Sequence, residues 1–189
     1  MFNIMQAVIL SGGKSSRFWP LNSKHKSLTK VCGKTLVEWT IKGLKKSGID
    51  DIIIIQGPNK NIEIELKDKY PEIKFAVQPK PKGMGNALSQ AENLIKKDFF
   101  TMHAHCFDAD KFIKPMIEKQ KSTGSKLILV GKKTDKLWKY GIVGFDSRIQ
   151  DKIIKLVEKP KKGEEQSDIG LKGIYLLSKE FFEYYKKTK

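Results

Sequence analysis

QAVILSGG, residues 6–13, decides how this chain is read. The run Ala7–Leu10 is apolar without alternation and stops at the pair Gly12-Gly13, one serine later. A short apolar run with β-branched members, closed by glycines, reads as a strand buried on both faces. Strands of that kind belong to parallel sheets with helices packed on either side. A crowd of hydroxyls and cations follows, KSSRFWPLNSKHKSLTK over residues 14–30, bringing together Lys14, Arg17, Lys24, Lys26 and Lys30. Two readings stand for it. One is a loop whose backbone amides and cations cradle a phosphate. The other is a plain strand-ending turn with a lysine-rich surface.

The downstream pattern extends the first strand into a fold. Residues 34–47 carry Leu36, Val37, Ile41 and Leu44 at helical spacing, with Gly48 as a stop. Strands are predicted at 50–57, 73–78, 99–105 and 126–133, and helices at 59–69, 86–96 and 108–121. The stretch PKPKGMG, 79–85, reads as a loop. Beyond residue 135 the pattern changes to short strands at 140–146, 152–159 and 172–178 with no full helix between them. The expected fold class is α/β: a Rossmann-like three-layer sandwich with a mostly parallel sheet and a short antiparallel extension. One domain, 1–189, is expected, with an α/β core over 1–133 and a second part over 134–189.

Composition bounds the partners. Hydrophobic residues make up 39% and charged residues 31%, a globular balance rather than a disordered one. The formal net charge of +16 favours anionic partners. The lysines are spread along the whole chain, and no basic tract is interleaved with aromatics, so no nucleic-acid partner is expected. No apolar run is long enough to span a bilayer, so no membrane partner is expected either. The N-terminus reads as a strand rather than a signal peptide. With only Cys32 and Cys106, the expected setting is the reducing cytoplasm. A homo-oligomeric state stays open.

Ligands of parallel sheets sit beyond the carboxyl ends of strands, which points to the loop after residue 10. Gly12 and Gly13 let phosphate oxygens approach backbone N–H groups. Ser15 and Ser16 add hydroxyls, Arg17 a bidentate fork and Lys26 a mobile point charge. GGKSSR lacks the spacing of a Walker A loop, since Val8 stands where the glycine preceding Gly13-Lys14-Ser15 would have to be, and it lacks the third glycine of a dinucleotide fingerprint.

Several ordered motifs carry a family resemblance. LSGGKSSRFWPLN, then Lys26, then VCGKTLVEW resembles the opening of the sugar-phosphate nucleotidylyltransferases, which make NDP-sugars from an NTP and a sugar 1-phosphate. QPKPKGMGNAL, KYGIVGFD, VEKPKKG and KGIYLLSKEFFE resemble later segments of that family, in order. The resemblance implies catalytic roles for Arg17 and Lys26 on the triphosphate. It implies nucleotide binding by Leu10, Ser11, Gly12, Gly13, Lys14, Ser15, Ser16, Gln78 and Gly83, and sugar-phosphate binding by Gly141, Glu158 and Lys159. The expected partners are therefore an NTP and a sugar 1-phosphate, with Mg²⁺ as the family's cofactor. A catalytically degenerate homologue, binding nucleotide or NDP-sugar as a regulatory or complex subunit, is the alternative.

The chain also departs from the family pattern. Ser15 replaces a glycine, His25 the proline before the lysine, Met84 a threonine, and Leu171 stands where asparagine is frequent. In HAHC, residues 103–106, His105 stands at the magnesium-holding aspartate. Imidazole is a poor magnesium ligand. Three readings stay open: a magnesium site shifted onto Asp108 or Asp110; histidines that bind phosphate without metal; or a Zn²⁺ or Mn²⁺ site using His103, His105 and Cys106. The family's later Asp-(Ile/Val)-Gly-Thr segment, with its second metal-binding aspartate, is not matched in full before Lys189, where Asp168-Ile169-Gly170 runs on into Leu171 and the KGIYLLS region, so the chain is expected to be divergent and truncated at its C-terminus.

Overall fold

The computed structural model describes residues 5–13, 15, 20 and 24–188. The chain divides into two compact units, one running to Ile128 and resuming at Tyr175, the other Leu129–Ile174.

In the first unit, strand β1 (Gln6–Ser11) is followed by a two-residue hairpin, β2 (Lys30–Val31) and β3 (Lys34–Thr35). Its turn is Cys32-Gly33, both at positive φ (48° and 77°), the primed geometry that suits a tight hairpin. The helix expected from residue 34 therefore starts later, as α1 (Leu36–Lys46). Thr35 caps it: the Glu38 N–H donates to the Thr35 hydroxyl at 3.3 Å, and the Thr35 N–H donates back to the Glu38 carboxylate at 2.8 Å. Then come β4 (Asp51–Gln56), α2 (Asn61–Leu66), β5 (Lys74–Val77), α3 (Met84–Ser89), β6 (Phe99–His103) and α4 (Asp110–Thr123).

The order β5-β4-β1-β6 is parallel throughout, with Leu10 paired to Ile55 and to His103. Ala7, Val8, Ile9 and Ile52–Ile55 are fully buried, as a parallel sheet covered on both faces requires. One face packs Val8, Leu10, Ile53 and Ile55 against Ala87, Leu88, Ala91, Ile95 and Phe182. The helix expected over 86–96 breaks after Ser89 into a separate 3-10 turn, Glu92–Leu94. The Ser89 hydroxyl and the Gln90 amide both donate to the Asn86 carbonyl (2.9 and 3.3 Å), competing with the helical ladder.

In the second unit, β8 (Gly141–Phe145) pairs antiparallel with β9 (Ile153–Glu158) and with β10 (Ile169–Leu177), as the sequence suggested. β7 (Leu127–Lys133) also pairs with β10. The chain closes with α5 (Phe181–Lys187) in the first unit. The whole is a mixed eight-stranded sheet with a parallel core and helices, an α/β fold. No helix among the described residues is long and apolar enough to cross a membrane.

Candidate functional site

The carboxyl ends of β1, β4 and β5 open onto a cavity of about 340 Å³. Its walls include Ser11, Gly12, Gly13, Ser15, His25 and Gln78, so five of the residues singled out for nucleotide binding meet there. Leu10 sits one step below, at the end of β1, and is 9% exposed. Lys14, Ser16 and Arg17 lie outside the described residues.

Gln78 organises this wall. Its amide group is buried and donates to the Gly83 carbonyl at 3.1 Å and to the Asn86 side-chain oxygen at 2.9 Å. Both amide protons are thereby engaged, and Gln78 Oε1 turns toward Gly12. A Cβ on Gly12 would lie 2.7 Å from that oxygen, so the loop passes Gln78 only because residue 12 has no side chain. Gly83 opens α3 at φ 93°, ψ 175°, a conformation that only glycine adopts readily.

The lysine-bearing segment is fastened to the same loop. The Lys26 N–H donates to the Ser15 hydroxyl at 3.0 Å, with Ser15 itself at φ 51°. His25 caps the following 3-10 turn, Lys26–Leu28: its Nδ1 accepts from the Ser27 N–H at 3.2 Å. Desolvation and the adjacent Lys26 ammonium lower the His25 pKa, against a hydrogen bond from its ring to the Gly13 backbone that raises it.

The strand expected over 99–105 ends earlier: β6 stops at His103 and turns, with the Cys106 N–H donating to the His103 carbonyl at 3.1 Å. The rings of His103 and His105 stack, centroids 5.5 Å apart and planes 7° from parallel. Both pKa values are lowered, by desolvation first and the Lys26 ammonium second, and that of His105, with His103 as a further cause, falls to about 4.

The metal expectation fares differently. Among the described residues no three His, Cys, Asp or Glu side chains come together as a metal-binding group. The remaining residues contain none of those four types. Asp110 is committed to Lys46 at 2.9 Å, and neutral imidazoles are poor ligands for a hard cation. The imidazole of His105 does not suit magnesium, which prefers hard oxygen ligands.

The sugar-phosphate candidates lie in the second unit. Gly141 is paired with Glu158, and a Cβ there would lie 3.0 Å from the Glu158 carboxylate and 3.1 Å from Leu171. Lys159 takes φ 48°, its N–H donates to the Tyr140 carbonyl at 3.0 Å, and its exposed ammonium lies 3.8 Å from Glu158.

Gly57, Pro58, Asn59, Lys60 and Asn61, with Pro79 and Pro81, also line the cavity, and residue-type reasoning passed over them. Their signal was topological. They end β4 and β5, at the same carboxyl edge as β1, and Gly57-Pro58 reads as punctuation until the strands are laid side by side.

The family profile described as nucleotidyl transferase matches residues 6–189. The bifunctional protein GlmU of Methanococcus maripaludis is 31% identical over 182 residues, covering 95% of this chain and 41% of that protein. A mannose-1-phosphate guanyltransferase of Saccharomyces cerevisiae is 29% identical, covering 95% of this chain and 51% of its own length. The chain therefore spans about half or less of these two relatives. A crystal structure of UDP-glucose pyrophosphorylase complexed with UDP-glucose superposes with a TM-score of 0.82 at 22% identity, covering 98% of this chain and 80% of that one.

Proposed function

We propose, for a chain that belongs to the nucleotidyl transferase family, that it joins an NTP to a sugar 1-phosphate, giving an NDP-sugar and pyrophosphate. A phosphate oxygen of the sugar attacks the α-phosphorus; the bond from that phosphorus to the bridging oxygen breaks, and pyrophosphate leaves with the electron pair. Two anions must meet, so the barrier is dominated by charge and positioning. The observation that carries this reading is the cavity in which the Gly12-Gly13 loop, Ser15 and Gln78 meet, with the Lys26 segment fastened to Ser15.

In this reading Lys26 and Arg17 neutralise the triphosphate. Gly12 and Gly13 shape the loop around the nucleotide, Gln78 and Gly83 face its base, and Lys159, with Gly141 and Glu158, receives the sugar phosphate. That neither Cys32 nor Cys106 is in a disulfide suits a reducing cytoplasm. The test is pyrophosphate release from each NTP with a panel of sugar 1-phosphates. Lys26→Ala is expected to lower kcat by about 100-fold or more. No release with any pair defeats the catalytic reading.

A second reading, an NDP-sugar binder without turnover, is favoured by His105 at the family's metal position. Tight NDP-sugar binding without pyrophosphate release selects it.

A further inference from the structure

We propose, resting on the functional reading above, that this chain seats its nucleotide's phosphates directly on Lys26 and the His103–His105 pair, without a protein-bound divalent metal ion. His103 is paired in register with Leu10, which puts the two imidazoles beside the start of the glycine loop. The rings stack nearly parallel, so their edges are presented together. An imidazole carries at least one ring N–H donor, which suits phosphate oxygens. Lys26 belongs to the same place: its backbone is tied to Ser15, and its ammonium acts on all three histidines of the chain.

The sign of the local charge selects the occupant. A divalent cation on these rings would meet the Lys26 ammonium, and no third His, Cys, Asp or Glu among the described residues completes a donor set to offset it. A phosphate there is attracted by the ammonium and accepts hydrogen bonds from the rings.

The experiment is calorimetric titration of the chain with UTP, GTP and dTTP, once in excess EDTA and once in excess Mg²⁺. At least one nucleotide is expected to bind in EDTA within about threefold of its Mg²⁺ affinity, or more tightly. His103→Asn with His105→Asn should weaken binding in EDTA about tenfold while leaving the melting temperature unchanged. His105→Asp places a carboxylate against the phosphates. It should weaken binding in EDTA about tenfold and regain it with Mg²⁺. Wild-type binding that needs Mg²⁺ by about tenfold or more overturns this inference and leaves the functional reading intact. So does stoichiometric Mn²⁺ or Zn²⁺ binding, without nucleotide, that the His105→Asn variant loses. Absence of binding in both buffers overturns the inference and the functional reading together.

Discussion

Ser15 holds φ 51°, a left-handed conformation that costs an L-residue roughly 1–2 kcal/mol and glycine nothing comparable. The resemblance places glycine at this position, a residue that takes this conformation without such a cost. What the serine adds is an acceptor: its hydroxyl takes the Lys26 N–H at 3.0 Å. One such bond contributes about 1 kcal/mol, which nearly offsets the strain. Ser15→Gly is therefore expected to leave stability within about 1 kcal/mol of wild type, while Ser15→Ala keeps the strain, loses the bond and costs about 1 kcal/mol. Urea midpoints of the two variants check this; a larger loss in the glycine variant contradicts it. The sequence shows the substitution at once. Its partner, eleven residues on, is visible only after folding.

Helix α1 starts from a buried charge. The Glu38 carboxylate accepts from the Thr35 N–H and hydroxyl and from the Lys69 ammonium. Burial pushes this carboxyl up, but the Lys69 and Thr35 bonds outweigh it and hold it down at about 2. A depressed folded-state pKa stabilises above the unfolded value of 4.5 and is lost as pH falls toward about 2. About 2 kcal/mol of stability should therefore fade across that interval. Glu38→Gln retains a side chain that can complete the capping box but cannot titrate, so its urea midpoint should start lower and fall less between those pH values. An acid limb as steep as the wild type's shows that other carboxylates govern it. The box itself, Thr35-x-x-Glu38, is readable in sequence as a helix start; Lys69, thirty-one residues away, is not.

At the scale of the molecule, the last helix serves the first strands. Phe182 is 4% exposed and stacks on Phe99 with centroids 5.8 Å apart. Gly85 admits Tyr185 of the same helix, since a Cβ there would lie 2.7 Å from its ring. Phe182→Ala should accordingly cost about 3 kcal/mol, read as a lowered urea midpoint for the unit that holds β1 and β6. A change below about 1 kcal/mol shows that α5 is not integral to that core. Linear sequence groups residues 175–189 with the strands before them, whereas the fold returns them to the first unit.

What the sequence by itself determined is whatever depends on local period and local chemistry. The apolar runs 7–10 and 52–55, the glycine loop and the change of pattern after residue 135 were enough for the parallel core, its antiparallel extension and the sheet edge at which the cavity opens. Only the tertiary structure decided what depends on residues distant in the chain. It showed that Gly12 is required by Gln78, that the ends of β4 and β5 complete the cavity wall, and that His103 and His105 stack beyond the end of a strand. The reason is physical: packing distance and electrostatic environment are set by side chains the backbone brings together, and no local pattern encodes that meeting.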